Sequence, residues 1–332
     1  MTHTDIRLSL PSKGRLGQAA LDFLAEAGLR VDKPNPRQYS ARIPALPELT
    51  VLFQRAGDIV VSVRDGSVDF GITGMDLVAE KRGENGQVLV LHEALGFGHS
   101  TLTLAVPEGW PVHDVDDLRD YAGQLGRPLR VATKFPHLTA AFLKRHGIPH
   151  RLIWAEGTLE TAPAIGYADM ISDLVSSGQT LRDNRLRPLP DGAILPSQAV
   201  LIANRGALQQ RPEVLAVAKR LLEYIEAHLR AQENLLVIAN VRGENAASVA
   251  RRIFGRPTIG GLQGPTISPI YTREGQPWFS VTIVVHRDRL PAAIADLRAI
   301  GGSGIIVTPV TYIFEEEPPR YKAMLEALQN QE

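Results

Sequence analysis

The sequence predicts an α/β protein built from two parallel-sheet lobes and a smaller C-terminal module. Three observations carry this. Short apolar runs alternate with helical patterns of about ten residues, as strands and crossover helices do. The alternation comes in two blocks, before and after about residue 105. From Asn234 the order becomes β-α-β-β-α-β, a ferredoxin-like split βαβ pattern.

Taken in order, IRLSL (6–10) reads as a buried strand. Leu16, Ala19, Ala20, Phe23, Leu24 and Ala27 fall at helical spacing, and Gly28 closes that helix. LTVLF (49–53) is a strand, and Asp58 is placed to cap a helix carrying Ile59, Val60 and Val63 that ends near Gly66. VDFGIT (68–73) is a strand leading to a short helix near Met75, and TLTLAV (101–106) is a strand. Then follow a helix from Asp114 to Tyr121, strand 129–133, helix 136–147, strand 151–155, helix 158–168 and strand 169–175. Strand 198–204 and a long helix over 213–231 return to the first lobe. Lobe I thus takes 1–105 and 190–232, and lobe II takes 106–189 as an insertion. A cleft between two such lobes is a periplasmic-binding-protein-like plan. Strands at 235–241, 266–271, 278–285 and 304–314, with helices at 244–254 and 290–301, make the module 233–315; residues 316–332 read as a charged tail forming at most a loose helix.

Composition narrows the chemistry. The 332 residues are 44% hydrophobic and 22% charged, as in ordinary soluble domains. Lys plus Arg and Asp plus Glu are 36 each, so no global basic field draws nucleic acid or anionic lipid. The absence of cysteine excludes disulfides, thiolate metal sites and thiol nucleophiles. The His residues are scattered, and no metal site built by the protein is expected. With neither an apolar leader nor a run of about 18 apolar residues, the expected location is the cytoplasm, with no membrane contact.

The segment DMISDLVSSGQTL (169–181) carries the most chemistry. In an open parallel sheet, ligands bind beyond the carboxyl ends of the strands. Asp173 lies near such an end. The turn after it offers amides and the hydroxyls of Ser176, Ser177 and Thr180, with Gly178 and Gln179 opening a helix. Amides and hydroxyls at a strand-to-helix turn suit a phosphate. Carboxylates suit sugar hydroxyls or a hydrated Mg²⁺. Phosphate at one end and diol at the other describe a ribose 5-phosphate. The alternative is a plain strand, a Ser/Gly turn and an N-cap.

The longer stretch EGTLETAPAIGYADMISDLVSSGQTL resembles the signature segment of the ATP phosphoribosyltransferase family, whose reaction opens histidine biosynthesis. Glu160, Gly166, Asp169, Asp173, Ser177, Gly178 and Thr180 match its pattern. PSKGRL (11–16), DGSVDFGITGMD (65–76) and VATKFPHL (131–138) resemble other family blocks, in order, so the likeness runs over about residues 6–314. The C-terminal module resembles the regulatory domain of the long form. The resemblance implies transfer of phosphoribose from phosphoribosyl pyrophosphate (PRPP) to N1 of ATP, with Mg²⁺. It also implies inhibition by histidine, and dimers associating into hexamers. It places Glu160, Asp169, Asp173 and residues 176–180 on PRPP. Lys13 and Arg15 fall at the reacting centre, and Lys13, Gly14, Arg15, Arg55, Thr73 and Gly74 on ATP. The Mg²⁺ travels with PRPP, with Asp173 the nearest carboxylate. Each has a plainer reading: 12–15 as an exposed basic turn, Arg55 as a partner of Asp58, the glycines as turn geometry. Lys134 is left outside the site. Two other functions compete: a prephenate dehydratase-like enzyme, and a two-lobed small-molecule sensor without catalysis.

Overall fold

The computed structural model describes every residue except 1–4, 34, 36, 37, 156, 274 and 330–332. The strands and helices of the first lobe are β1 (Ile6–Pro11), α1 (Arg15–Glu26), β2 (Ser40–Ile43), β3 (Leu46–Gln54), α2 (Ala56–Arg64), β4 (Phe70–Gly74), α3 (Met75–Lys81) and β5 (Val88–His92). The chain then crosses to β6 (Ser100–Pro107), α4 (Val115–Gln124), β7 (Leu129–Thr133), α5 (Pro136–Arg145), β8 (His150–Trp154), α6 (Ala162–Ile165), β9 (Met170–Val175), α7 (Gln179–Asp183) and β10 (Leu186–Ser197). It returns in β11 (Ala199–Asn204), α8 (Arg205–Gln210) and α9 (Pro212–Gln232). Then come β12 (Asn234–Arg242), α10 (Ala246–Phe254), β13 (Thr266–Ile270), β14 (Trp278–His286), α11 (Leu290–Ala299), β15 (Gly302–Pro309) and α12 (Pro319–Gln329).

Two compact units result, 1–222 with 319–332, and 223–318. The first holds both lobes: a six-stranded sheet ordered β2-β3-β1-β4-β11-β5 and a five-stranded sheet ordered β10-β6-β9-β7-β8. The lobe sheets are mixed, not purely parallel. β11 runs antiparallel to β4 and β5, and β6 runs antiparallel to β9 and β10. These reversed strands are the ones that enter or leave a lobe. Since β6 pairs inside the second sheet, the lobes change at about residues 99 and 198, not at 106 and 190. The lobe II sheet is buried on both faces. Leu104, Val131 and Met170 face α4 and α5, while their neighbours Ala105, Ala132 and Ile171 face α6 and α7. That is the period-two alternation of a doubly covered sheet.

The second unit is ordered β13-β14-β12-β15. Val237, Val241, Val281 and Ile283 pack against Val249 and Ile253 of α10 and Ala293 and Leu297 of α11. The βαββαβ expectation therefore holds. Its last strand ends at Pro309, before the 314 expected, and Tyr312 and Phe314 instead form an aromatic trio with Tyr224.

Local expectations change in four places. α2 starts at Arg55 as N-cap, and Asp58 sits in its first turn. The helix expected over 158–168 shrinks to a 3₁₀ turn, Leu159–Thr161, and the four-residue α6, because Gly166 at φ 85° ends it. β2, β5 and β10 were not anticipated. All three are edge strands, and β10 carries Pro188, Pro190 and Pro196, which an edge tolerates. The tail is α12, docked on the first unit. Arg320 Nε donates to Glu93 at 3.1 Å, and Arg205 and Gln209 donate to the carbonyls of Ala327 and Leu328. Residues 330–332 lie outside the described residues. No helix among the described residues is long and apolar enough to cross a membrane.

His92, at the end of β5, is 3% exposed, and its Nδ1 accepts from the Ala94 N–H at 3.2 Å. Burial, with help from the Arg320 cation, pushes its pKa down to about 4. The imidazole is therefore neutral in the fold, while the unfolded chain protonates it near pH 6.5. Stability is lost as pH falls from about 6.5 to 4, by on the order of 3 kcal/mol from this group. Urea unfolding across that range is expected to show a shallower pH slope in His92→Gln than in the unmodified chain.

Candidate active site

The lobe I side is made by strand ends. β1 and β3 run parallel with Pro11 opposite Gln54, and the Ser12 N–H donates to the Gln54 carbonyl at 2.7 Å. Lys13-Gly14-Arg15 and Arg55 therefore leave the sheet side by side. Gly14 needs its φ of 80°, and open space surrounds the place a Cβ would take. Lys13 and Arg55 are exposed and have no side-chain partner among the described residues; no ion pair joins Arg55 to Asp58. Arg15 is anchored: Nη1 donates to the His99 carbonyl at 3.1 Å and Nη2 to Ser100 Oγ at 3.0 Å.

β4 ends at the same edge. Thr73 is fully buried, and its hydroxyl donates to the Ala56 carbonyl at 2.9 Å, tying β4 to α2. This overturns the expectation that Thr73 reaches ATP: its donor is satisfied inside the fold. Gly74 is also buried, and a Cβ there would stand 2.2 Å from Asp76 Oδ1. Gly74 thus makes room for the Asp76 carboxylate, which is 2% exposed. Ser197 Oγ donates to that carboxylate and accepts from the Asp76 N–H at 3.0 Å. Burial raises the Asp76 pKa, against the Ser197 hydrogen bond and the Arg15 cation.

Lobe II meets this edge through register. Ser197 of β10 lies opposite Ser100 of β6, and Thr101 lies opposite Val175, the last residue of β9. The residue that holds Arg15 is thus beside the loop that follows β9. A cavity of about 550 Å³ opens there, lined by Met75, His99, Ser100, Ser176, Ser197 and Gln198 among others. Ser176, Ser177, Gln179 and Thr180 are exposed, and Gly178 takes φ 70° to turn the chain into α7. The hydroxyls of Ser176 and Thr180 have no partner among the described residues. The Gln179 side chain does: it donates to Asp183 at 2.6 Å and accepts from Arg182 at 3.0 Å.

Asp173 stands half-buried before the loop, its Oδ1 accepting from the Leu174 N–H at 2.8 Å. Burial raises its pKa; the Lys134 cation opposes this, and the Glu160 and Asp76 carboxylates add to it. Lys134 is there because β7 and β9 are parallel, with Thr133 opposite Ser172. Lys134, left outside the site on the sequence, thus acts electrostatically on Asp173. Lys134 was set aside and Asp76 missed because each takes its meaning from a strand distant in sequence. The available signal was their place just past the end of a central parallel strand.

Asp169 is a correction. It precedes β9, about 13 Å of extended chain from Asp173 and at the opposite end of the strand. Its side chain, 8% exposed, is gripped by Arg127 at 2.6 and 2.9 Å and by Arg130 at 2.8 Å. Burial alone would raise its pKa, but the hydrogen bonds from Arg127 and Arg130 prevail and hold it well below the usual carboxylate range. Asp169 is a structural clasp. Among the described residues no set of three His or acidic side chains is gathered for a metal. His146 and His150, four apart, serve separate partners: one packs on Phe142, the other meets the Ile148 carbonyl.

The family model of ATP phosphoribosyltransferase matches residues 55–227, and that of the HisG C-terminal domain matches 231–312. An ATP phosphoribosyltransferase of Arabidopsis thaliana, named as chloroplastic, is 46% identical over 97% of this chain and 80% of its own length. The chain belongs to the ATP phosphoribosyltransferase family. A relative of that name in Nitrobacter winogradskyi is 35% identical over 97% of this chain and 98% of its own. Among solved structures, the ATP phosphoribosyl transferase (HisG:HisZ) complex from Thermotoga maritima matches 67% of this chain and 98% of the compared chain, at 25% identity and a TM-score of 0.52. The two family matches fall on the two units described above, the boundary between them near residues 222–231.

The clasp can be separated from the site by substitution. Asp169→Asn is expected to cost about 1–3 kcal/mol of stability at pH 7 in urea unfolding. A carboxyl held below its unfolded pKa stabilises above that pKa, so the difference from the unmodified chain fades as pH falls below the ordinary carboxylate range. PRPP affinity is expected to stay within about twofold.

Proposed function

We propose that this chain transfers the 5-phosphoribosyl group of PRPP to N1 of ATP, giving phosphoribosyl-ATP and pyrophosphate. The adenine N1 lone pair forms the bond to ribose C1, and the C1–O bond breaks with its electrons going to pyrophosphate. The observation that carries the reading is the junction at Ser100, where anchored Arg15 adjoins the end of β9 and its hydroxyl loop. Positive character grows on the sugar and negative charge on the leaving oxygens, so the work is positioning and charge stabilisation. No covalent nucleophile is required.

Ser176, Ser177, Thr180 and the amides from Gly178 to Thr180 hold the 5-phosphate; Gln179 serves through its backbone. Asp173 and Glu160 read the ribose hydroxyls. Lys13, Arg15 and Arg55 face the polyphosphates, with Gly14 leaving room for them. Arg15 contributes as a fixed charge, since two of its nitrogens are already placed. Mg²⁺ fits this donor set. It binds through one or two carboxylates plus substrate phosphates, and Asp173 with Glu160 supplies hard oxygens beside the loop. When bound it neutralises charge on the pyrophosphate.

The C-terminal unit takes histidine as feedback inhibitor, with a coupling of about 1–3 kcal/mol to the cleft. The chain assembles as dimers that associate into hexamers. Both statements rest on the family.

Mixing ATP, PRPP, Mg²⁺ and protein should raise near-ultraviolet absorbance as the N1 adduct forms; a flat trace would remove the proposal. Thr180→Ala is expected to weaken PRPP about tenfold and ATP less than about twofold. Equal losses for both substrates would make the loop structural. Asp173→Asn should weaken PRPP as well. Because burial raises the Asp173 pKa, its ionised form disfavours the fold once pH exceeds the unfolded value. The same variant should therefore raise the melting temperature of the free protein at pH 7 by roughly 2 °C.

A further inference from the structure

The two lobes also touch away from their crossing strands. Glu80 lies on α3 of lobe I, and its side chain is 3% exposed. Its Oε1 accepts from the His137 N–H at 2.8 Å and lies 2.8 Å from His137 Nδ1, while Oε2 accepts from the Leu138 N–H at 3.0 Å. Those N–H groups belong to the first turn of α5, on lobe II. α5 has no cap of its own: Phe135 stands at the cap position and makes no side-chain cap bond. An aromatic sits where Ser, Asp or Asn would serve. The orphan donors are satisfied from the opposite lobe, by a carboxylate at the positive end of the helix.

The same turn is tied to the substrate side. The Phe135 N–H donates to Thr133 Oγ1 at 3.0 Å, Thr133 and Thr139 hydroxyls lie 3.3 Å apart, and Thr139 Oγ1 donates to Ser172 Oγ at 2.9 Å. All three hydroxyl residues are fully buried. Ser172 immediately precedes Asp173, and Lys134 lies between Thr133 and Phe135. A rigid chain of contacts thus runs from α3 through the head of α5 to the strand bearing the carboxylate of the PRPP cradle.

We propose that Glu80 is a positioning residue for the transfer: by capping α5 it sets lobe I, with Lys13, Arg15 and Arg55, at its working distance from the phosphoribosyl cradle of lobe II. The chemistry of this inference rests on the functional reading above; the contact itself does not. Opening the lobes would return the carboxylate and both N–H groups to water, so the cap biases the cleft towards closure without forbidding release. Residues assigned to the ribose and 5-phosphate of PRPP all lie in lobe II, whereas the reaction needs both lobes in register. A positioning role therefore lowers turnover while sparing PRPP binding.

The test uses the full chain with Glu80→Ala, Glu80→Gln and His137→Ala. For Glu80→Ala, kcat is expected to fall about tenfold or more, with the Kd for PRPP in Mg²⁺ and no ATP changing less than about twofold. The amides of His137 and Leu138 should exchange with deuterium about tenfold faster. Glu80→Gln, which keeps one accepting oxygen, should recover part of kcat. His137→Ala keeps both backbone donors and should stay near the unmodified rate. A loss of PRPP affinity matching the loss of kcat would overturn the proposal, showing damage within lobe II. So would an unchanged kcat beside faster exchange. Absence of any transfer by the unmodified chain would instead remove the functional reading, and amide exchange would still report whether Glu80 holds α5.

Discussion

Two serines facing each other across the lobe crossing organise this molecule. Ser100 begins the strand that enters lobe II, Ser197 ends the strand that leaves it, and the two are partners in the β6–β10 ladder. Each is nearly buried and each holds one charged group of lobe I: Ser100 the guanidinium of Arg15, Ser197 the carboxylate of Asp76. Because β6 also pairs with β9, the same crossing brings the loop 176–180 to that place. Strand pairing tolerates no one-residue slip without turning every side chain over. The lobes therefore meet in a defined register, and the charges of one arrive beside the hydroxyls of the other.

The charges gathered there work against the fold. Burial lifts the proton affinities of both Asp76 and Asp173, and Asp173 also feels the Asp76 carboxylate. Strained titration of this kind clusters where ligands are handled, because a substrate's own cations or hydroxyls complete what the free protein leaves unmatched. Asp169 shows the opposite case. Two arginines complete it within the protein, its proton affinity drops, and nothing remains for a ligand. Two acids four residues apart on one segment thus have opposite pKa shifts, set by which end of β9 they occupy.

Much of the fold was legible along the chain. The central strands, β1, β3, β4, β7 and β9, are short segments dominated by buried apolar residues, and the sequence displays that burial directly. β2, β5 and β10 were not legible. All three are edge strands: β10 carries prolines that read as loop, while β2 and β5 are only four and five residues long, too short to show a clear alternation. The turn at 176–180 from β9 into α7 was legible, since its hydroxyls and glycine are adjacent in sequence. Thr73 misled, because a hydroxyl in a sequence does not announce that a distant carbonyl already holds it. Asp76 and Glu80 went unnoticed, and Lys134 was set aside, for a related reason: each is an ordinary charged residue whose partner lies on another element.

The sequence alone determined the order and type of the central elements, the division into two lobes and a βαββαβ module, the Ser/Gly/Thr loop and the family. All of these depend on neighbours within about ten residues, where periodicity and turn chemistry operate. Tertiary structure alone decided which strand ends share an edge, which acids stay available and which are clasped, where the lobes divide, and that the C-terminal helix docks on the first unit. Those outcomes are long-range pairings, such as Arg15 with Ser100 and Glu80 with the head of α5, and they exist only once strand register is set.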